Sequence, residues 1–233
     1  MAKRPVYIVN ESNSDYYFTK DIEFTWHPGY SISQKRKSIE SLHRNFIDEF
    51  GSMKVLEVST KSHKLLGTLL SAFNLRVNHS KHGLIPLECA FQGSKKFEFN
   101  GPFIDLLTTN PFKIKKDPRI KQSGKIVEFL FDGETFPNSP TTFFYNWLYL
   151  KALESDKSLS REIVKYNSFT DIEFNPIKSV NCQAKACALY VSLYNRGILK
   201  KALSSKENFN EVLIEVQRFD RNNSNNIQVK LEL

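Results

Sequence analysis

Between Ser71 and Phe99 lies the stretch that most restricts how this chain can fold. Its centre is Leu87-Glu88-Cys89-Ala90-Phe91-Gln92-Gly93-Ser94-Lys95-Lys96-Phe97. Small, helix-compatible residues dominate it and predict a helix. On a helix Glu88, Gln92 and Lys95 stand at i, i+4 and i+7 and project within a narrow arc of one face. An acid, an amide and an amine then share one stripe, while Leu87, Ala90, Phe91 and Phe97 occupy other sides. Apolar neighbours around so much of the helix fit a stripe that faces a pocket. An ordinary solvated face has the same spacing, and spacing alone leaves both readings open.

With 40% hydrophobic and 13% aromatic residues, 233 residues suffice for a real core in one large or two small domains, which excludes a disordered chain. No apolar run reaches the roughly 20 residues of a membrane helix; residues 143–150 are short and carry Asn146. The chain meets Glu11 before a signal-length apolar segment forms, so the expectation is a cytoplasmic protein with no membrane partner. Cys89, Cys182 and Cys187 are an odd, scattered count without paired Cys/His spacing. They predict reduced buried thiols, no metal and no disulfide framework. A net charge of +8 favours polyanionic partners such as nucleic acid or phosphate-bearing ligands.

Along the chain, residues 4–10 read as a strand and 16–26 as a pair of short strands, together a hairpin. Trp26-His27-Pro28-Gly29-Tyr30 makes a turn whose aromatics either stack on a base or cover the core. A helix follows over 33–50, with Ser33 as its cap and Gly51 as its stop. Lys35, Arg36 and Lys37 lie near its start, where the helix dipole disfavours cations, so a phosphate contact or plain solvation is expected there. A strand over 55–58 and a helix over 62–70 lead to Ser71-Ala72-Phe73-Asn74. Residues 78–83 read as a surface loop in which His79 and His82, with no acid beside them, are a plain pair. The central helix is expected to run to Gly101-Pro102. Beyond it Lys113, Lys115, Lys116, Arg119, Lys121 and Lys125, against the single acid Asp117, make the best candidate for a DNA-backbone patch. A strand over 125–131, a turn at Asp132-Gly133, an aromatic helix over 140–153 and a short helix over 161–166 capped by Ser160 come next. A helix over 182–194 is capped by Asn181 and stopped by Gly197; its free amides, with Lys178 and Ser179, suit a phosphate as well as an unliganded core helix. Residues 207–219 are amphipathic, and 222–226 are an asparagine-rich turn or tail.

Ser71-Ala72-Phe73-Asn74 resembles the Ser-Asn-Phe element of the NADAR family, and Glu88, Gln92 and Lys95 match its Glu…Gln…Lys helix. Residues 169–176 (Phe-Thr-Asp-Ile-Glu-Phe-Asn-Pro) with Asn181-Cys182-Gln183-Ala184 supply a third matching piece, so the resemblance spans about 55 to 199. Ala72, where many members have Asn, and Phe169-Thr170, where Trp-Gly is commoner, fit the branch that accompanies DarT-type toxins better than the riboflavin-pathway branch. The resemblance implies an α+β, mainly helical, single NADAR-like domain over 31–219, with N-terminal strands (1–30) packed on it and a tail from 220. It also implies an N-glycosidase that removes ADP-ribose from guanine in DNA. ADP-ribosylated DNA would be the substrate, ADP-ribose the product and a DarT-like toxin the counterpart, with no cofactor. Lys95, Glu88 and Asp171 would be catalytic. Ser71, Phe73, Asn74, Gln92, Trp26, Glu173, Ser179, Asn181 and Gln183 would bind the ligand. Glycosidase action on phosphorylated riboflavin-pathway intermediates and non-catalytic binding of ADP-ribose or DNA are the alternatives.

Overall fold

The computed structural model describes residues 2–10, 15–177 and 179–216. Lys178 and the asparagine-rich tail lie outside these. In chain order the elements begin with β1 (Ala2–Val9), β2 (Tyr17–Phe24), α1 (Ile32–Phe50), β3 (Val55–Glu57) and α2 (Leu65–Leu69). The middle holds β4 (Arg76–His79), β5 (Gly83–Pro86), α3 (Leu87–Gly93), β6 (Lys95–Phe97), α4 (Pro111–Ile114), α5 (Pro118–Gln122), β7 (Ile126–Phe131) and β8 (Glu134–Pro137). The chain continues through α6 (Phe143–Ser155), α7 (Lys157–Ile163), β9 (Ser168–Thr170), α8 (Gln183–Asn195) and α9 (Leu199–Ala202), and residues 206–216 are helical. The fold is α+β.

A four-stranded sheet, in the order β2-β1-β9-β3, divides two cores. The expected pair of short strands is one continuous β2, antiparallel to β1 from Ala2↔Phe24 to Val9↔Tyr17. On one face α1 buries Ile39, Leu42 and Phe46 against Val6, Ile8, Ile22 and Phe24. On the other lies the larger core, in which α6 and α8 pack with Phe129, Phe131 and Phe136 of the β7–β8 hairpin. Its aromatic centre is compact: Phe129 and Phe144 lie 4.6 Å apart, and Phe136 and Phe144 4.8 Å. Nearly every side of α6 and α8 is buried, so neither needs an amphipathic stripe.

Helix boundaries shift where another group satisfies the end amides. Ser31, not Ser33, caps α1 by accepting from Gln34 N. Asp156, not Ser160, caps α7 through Ser158 N and Leu159 N. Cys182, not Asn181, occupies the cap position of α8. The expected loop at 78–83 is a hairpin, since β4 and β5 pair from Arg76↔Pro86 to His79↔Gly83. His79 is buried there; its Nδ1 accepts from Lys81 N at 3.1 Å and its ring meets Phe131 edge-on.

The larger revision concerns the central helix, which ends at Gly93 and not near Gly101. Phe103 N donates to Gly93 O (2.9 Å) and Leu130 N to Ser94 O (2.8 Å). The carbonyls that would continue the helix are thereby taken by neighbouring segments. A Cβ at Gly93 would lie 2.9 Å from Leu107 Cδ2 and 3.2 Å from Phe103 O, so any larger residue would make these neighbours shift. The chain leaves α3 as β6, which pairs with β7.

Candidate active site

A cavity of about 690 Å³ opens where α3, β6 and the segment after β9 converge, within the size range of small-ligand sites. Its first wall is the end of α3 and the start of β6. Lys95 Nζ donates to Gln92 Oε1 (2.7 Å), and Gln92 Nε2 donates to Glu88 Oε1 (2.9 Å). Acid, amide and amine form one chain of hydrogen bonds, although Lys95 belongs to a strand and the helical spacing does not place it. Glu88, Gln92 and Lys95 are 3%, 7% and 9% exposed. Lys115 reaches in from after α4, with Nζ 3.4 Å from Glu88 Oε1 and 5.4 Å from the centre of the Phe73 ring. Burial lowers the Lys95 amine to about 8; the Glu88 carboxylate opposes that shift and Lys115 adds to it. The ammonium form also lies 4.7 Å from the centre of the Phe91 ring.

The second wall follows β9. Asp171 Oδ1 accepts from Glu173 N (3.0 Å) and Phe174 N (3.2 Å), closing a tight turn. Burial, and next the neighbouring Glu57 carboxylate, raise the Asp171 acid to about 8; a hydrogen bond from Gln183 works against them. Glu57, 2% exposed on β3, accepts from Ser59 Oγ (2.6 Å), Thr170 Oγ1 (2.6 Å) and Ile172 N (2.9 Å). Because the Thr170 hydroxyl proton goes to Glu57, the His43 Nε2 at 2.8 Å donates to Thr170 Oγ1. Burial lowers His43 to about 4, which keeps its ring neutral at pH 7. Gln183 also ties the two walls, since its Oε1 accepts from Ala72 N (2.7 Å).

Phe73, Phe91, Phe129, Tyr145 and Phe174 line the apolar parts of the cavity, and Glu173, Ser179 and Asn181 also face it. Asn181 Oδ1 is buried with no hydrogen-bond partner, an acceptor that a ligand donor would satisfy.

Other expected site residues lie elsewhere. Ser71 Oγ donates to Thr68 O (2.8 Å), and Asn74 Nδ2 donates to Thr68 O (2.8 Å) and Ser71 Oγ (3.1 Å). Both shape the turn that presents Ala72 and Phe73 and do not line the cavity. Trp26 packs edge-on against Phe24, with Lys35 Nζ 4.5 Å from the centre of its ring. Lys35 in turn pairs with Glu173 (3.1 Å), and Arg36 donates to the carbonyls of Lys61 and Ser62. Protein partners therefore account for these two cations at the start of α1. Arg119 is clamped by Asp105 (2.7 Å) and Asp117 (2.8 Å), so it is a structural member of the basic stretch. Lys113, Lys116 and Lys121 are exposed.

Glu57, Tyr145, Phe91 and Phe129 were not among the expected site residues. An acid inside the apolar run Val55-Leu56-Glu57-Val58 was the available signal for the first; the aromatics read as core. Among the described residues no group of three or more His, Cys, Asp or Glu could hold a metal, and no helix is long and apolar enough to cross a membrane.

Compared with known proteins, residues 2–223 match the family model described as DarT1-associated NADAR antitoxin. No curated protein matches the chain.

Proposed function

The chain belongs to the DarT1-associated NADAR antitoxins, and from that premise we propose that it is an N-glycosidase that removes ADP-ribose from guanine bases in DNA. A toxin that ADP-ribosylates DNA is thereby answered at the lesion itself. The observation that carries this reading is the buried Lys95 amine, lowered to about 8 and hydrogen-bonded through Gln92 to Glu88.

Cleavage breaks the bond between ribose C1 and a guanine nitrogen, and positive charge develops at C1 as the base departs. The neutral Lys95 amine attacks C1, and the C–N bonding pair leaves with the base. Glu88 takes the proton released by the attacking amine and returns it to the departing nitrogen. Opening of the ribose ring leaves a Schiff base on Lys95. Water then adds to its carbon and the amine leaves, so that one water is consumed and free ADP-ribose and unmodified guanine result. Asp171, protonated at neutral pH by its buried surroundings, and Glu173 hold ribose hydroxyls. Gln92, Gln183 and Asn181 orient the ligand, and Lys115 offsets its pyrophosphate charge.

Borohydride added during turnover of a guanine-ADP-ribosylated oligonucleotide should leave a stable adduct on Lys95, located by mass spectrometry. Full activity with no adduct rules out the covalent step. Release of no ADP-ribose at all removes the enzymatic reading and leaves an antitoxin that acts by masking the lesion or by contacting the toxin.

A further inference from the structure

A second groove, of about 500 Å³, adjoins the cavity and shares Phe73 with it. The β4–β5 hairpin forms one side through Arg76, His82 and Leu84, and the segment leading into α4 forms the other through Asn110 and Phe112. Phe112 is 58% exposed and stacks on Phe73, with ring centres 4.8 Å apart and planes 13° from parallel. One face of Phe73 is therefore covered by Phe112, and the open aromatic surface at this edge belongs to Phe112. Its backbone is fixed: Asn110 Oδ1 accepts from Phe112 N (2.9 Å), and Pro111 sets φ at the first position of α4. A large apolar ring held in place yet left in water is matched to a flat partner.

Charge narrows the choice of partner. Arg76, which lines the groove, is exposed and forms no salt bridge among the described residues. Lys115 stands beside Phe73, between groove and cavity. A free cation alongside a rigid aromatic platform is what a single-stranded nucleic acid uses, the ring taking a base and the cation a phosphate.

We propose that this groove binds the nucleotide next to the modified guanine in a single strand, its base stacked on Phe112 and its phosphate held by Arg76. The proposal rests on the glycosidase reading and adds to it where the strand runs: past the Phe73–Phe112 pair, over the β4–β5 edge. Stacking against Phe112 requires an unpaired base, so the groove also selects single strands over duplex.

The test compares a guanine-ADP-ribosylated pentanucleotide with ADP-ribosyl-guanosine, which has no flanking nucleotide, in the wild type and in Phe112→Ala. Exposure of Phe112 makes the variant safe to fold. Expected is a rise of about tenfold in KM for the pentanucleotide, the size of one lost base stack, with kcat unchanged and the nucleoside hydrolysed as before. An abasic site beside the modified guanine should cost the wild type a similar factor and the variant nothing further, and Phe112→Trp should restore the wild-type KM. An unchanged pentanucleotide KM with nucleoside hydrolysis intact overturns the groove and leaves the glycosidase reading standing. Failure of the wild type to hydrolyse either substrate overturns that reading instead. The groove is then decided by fluorescence anisotropy with unmodified oligo(dT), where equal affinities of wild type and Phe112→Ala would reject it.

Discussion

Lys95 and Asp171 face one cavity from two walls, and burial moves them toward each other: the amine falls to about 8 and the acid rises to about 8. The surroundings differ in kind. Around Lys95 the charges alternate, Glu88 holding the proton on and Lys115 helping it off. Around Asp171 the carboxylates Glu57 and Glu173 both disfavour ionisation, and its other neighbours are Tyr7, Tyr145, Tyr149, Cys182 and Cys187, all acids that burial keeps neutral. An alternating set tunes a group that must change charge during a reaction; a like-charged set fixes a group in its neutral form. On the glycosidase reading, one wall exchanges a proton and the other keeps one.

Breaking the first wall has the largest expected effect. Lys95→Ala should lower kcat/KM by on the order of 10³-fold or more, as expected for loss of a nucleophile. The isosteric Lys95→Met should be equally inactive yet melt at a higher temperature. The folded amine lies below its ordinary value of 10.5, so its contribution to stability is present above that value and lost as pH falls through about 8. Removing it should raise the melting temperature most below pH 8, as calorimetry at pH 6 and pH 9 would register.

The second wall is sharpened by Asp171→Asn, which imitates the neutral acid. Activity within about tenfold of wild type at pH 7 is expected, against a loss of about 10²-fold or more for Asp171→Leu. The folded acid lies above its ordinary value of 3.8. Its stability contribution is therefore full below that value and is lost as pH rises through about 8. Asp171→Asn should lose less melting temperature between pH 5 and pH 9 than the wild type does.

The two walls together predict a bell-shaped profile. The free amine requires pH near or above 8 and the neutral acid requires pH near or below it, so kcat/KM should peak close to 8, with the alkaline limb absent in Asp171→Asn. The smallest effect concerns DNA. Arg76→Ala, in the groove, should reduce the salt slope of single-strand binding by about 0.7, whereas Arg119→Ala, whose guanidinium is held by two carboxylates, should leave that slope unchanged.

Much of the first wall was legible because Glu88, Gln92 and Lys95 are close in sequence, and near neighbours stay near whether the chain is helix or strand. The reason given by periodicity was nevertheless wrong at Lys95: Phe103 and the more distant Leu130, neither on the helix, take the carbonyls that would have continued it. The second wall was legible at Asp171 through resemblance alone. Its partner Glu57 is 114 positions away and joins it only because β3 and β9 pair in parallel, Glu57 opposite Thr170. Ser71 does not line the cavity, since its hydroxyl turns inward to Thr68 O, while Asn74, bonded to Thr68 and Ser71, lines the adjoining groove. The +8 charge overstated the basic stretch, since composition does not reveal that Arg119 is already paired.

The pairing of β6 with β7 sets Lys95 opposite Phe129 and Lys96 opposite Glu128, and Lys96 spends its charge on Glu128 at 2.7 Å. Two adjacent lysines thus have separate fates decided by which side of a three-residue strand each occupies. A slip of one place would exchange them, putting a different lysine in the cavity with no change in composition or net charge. The register in which β6 meets β7 is therefore as much a part of the candidate site as the amine it delivers.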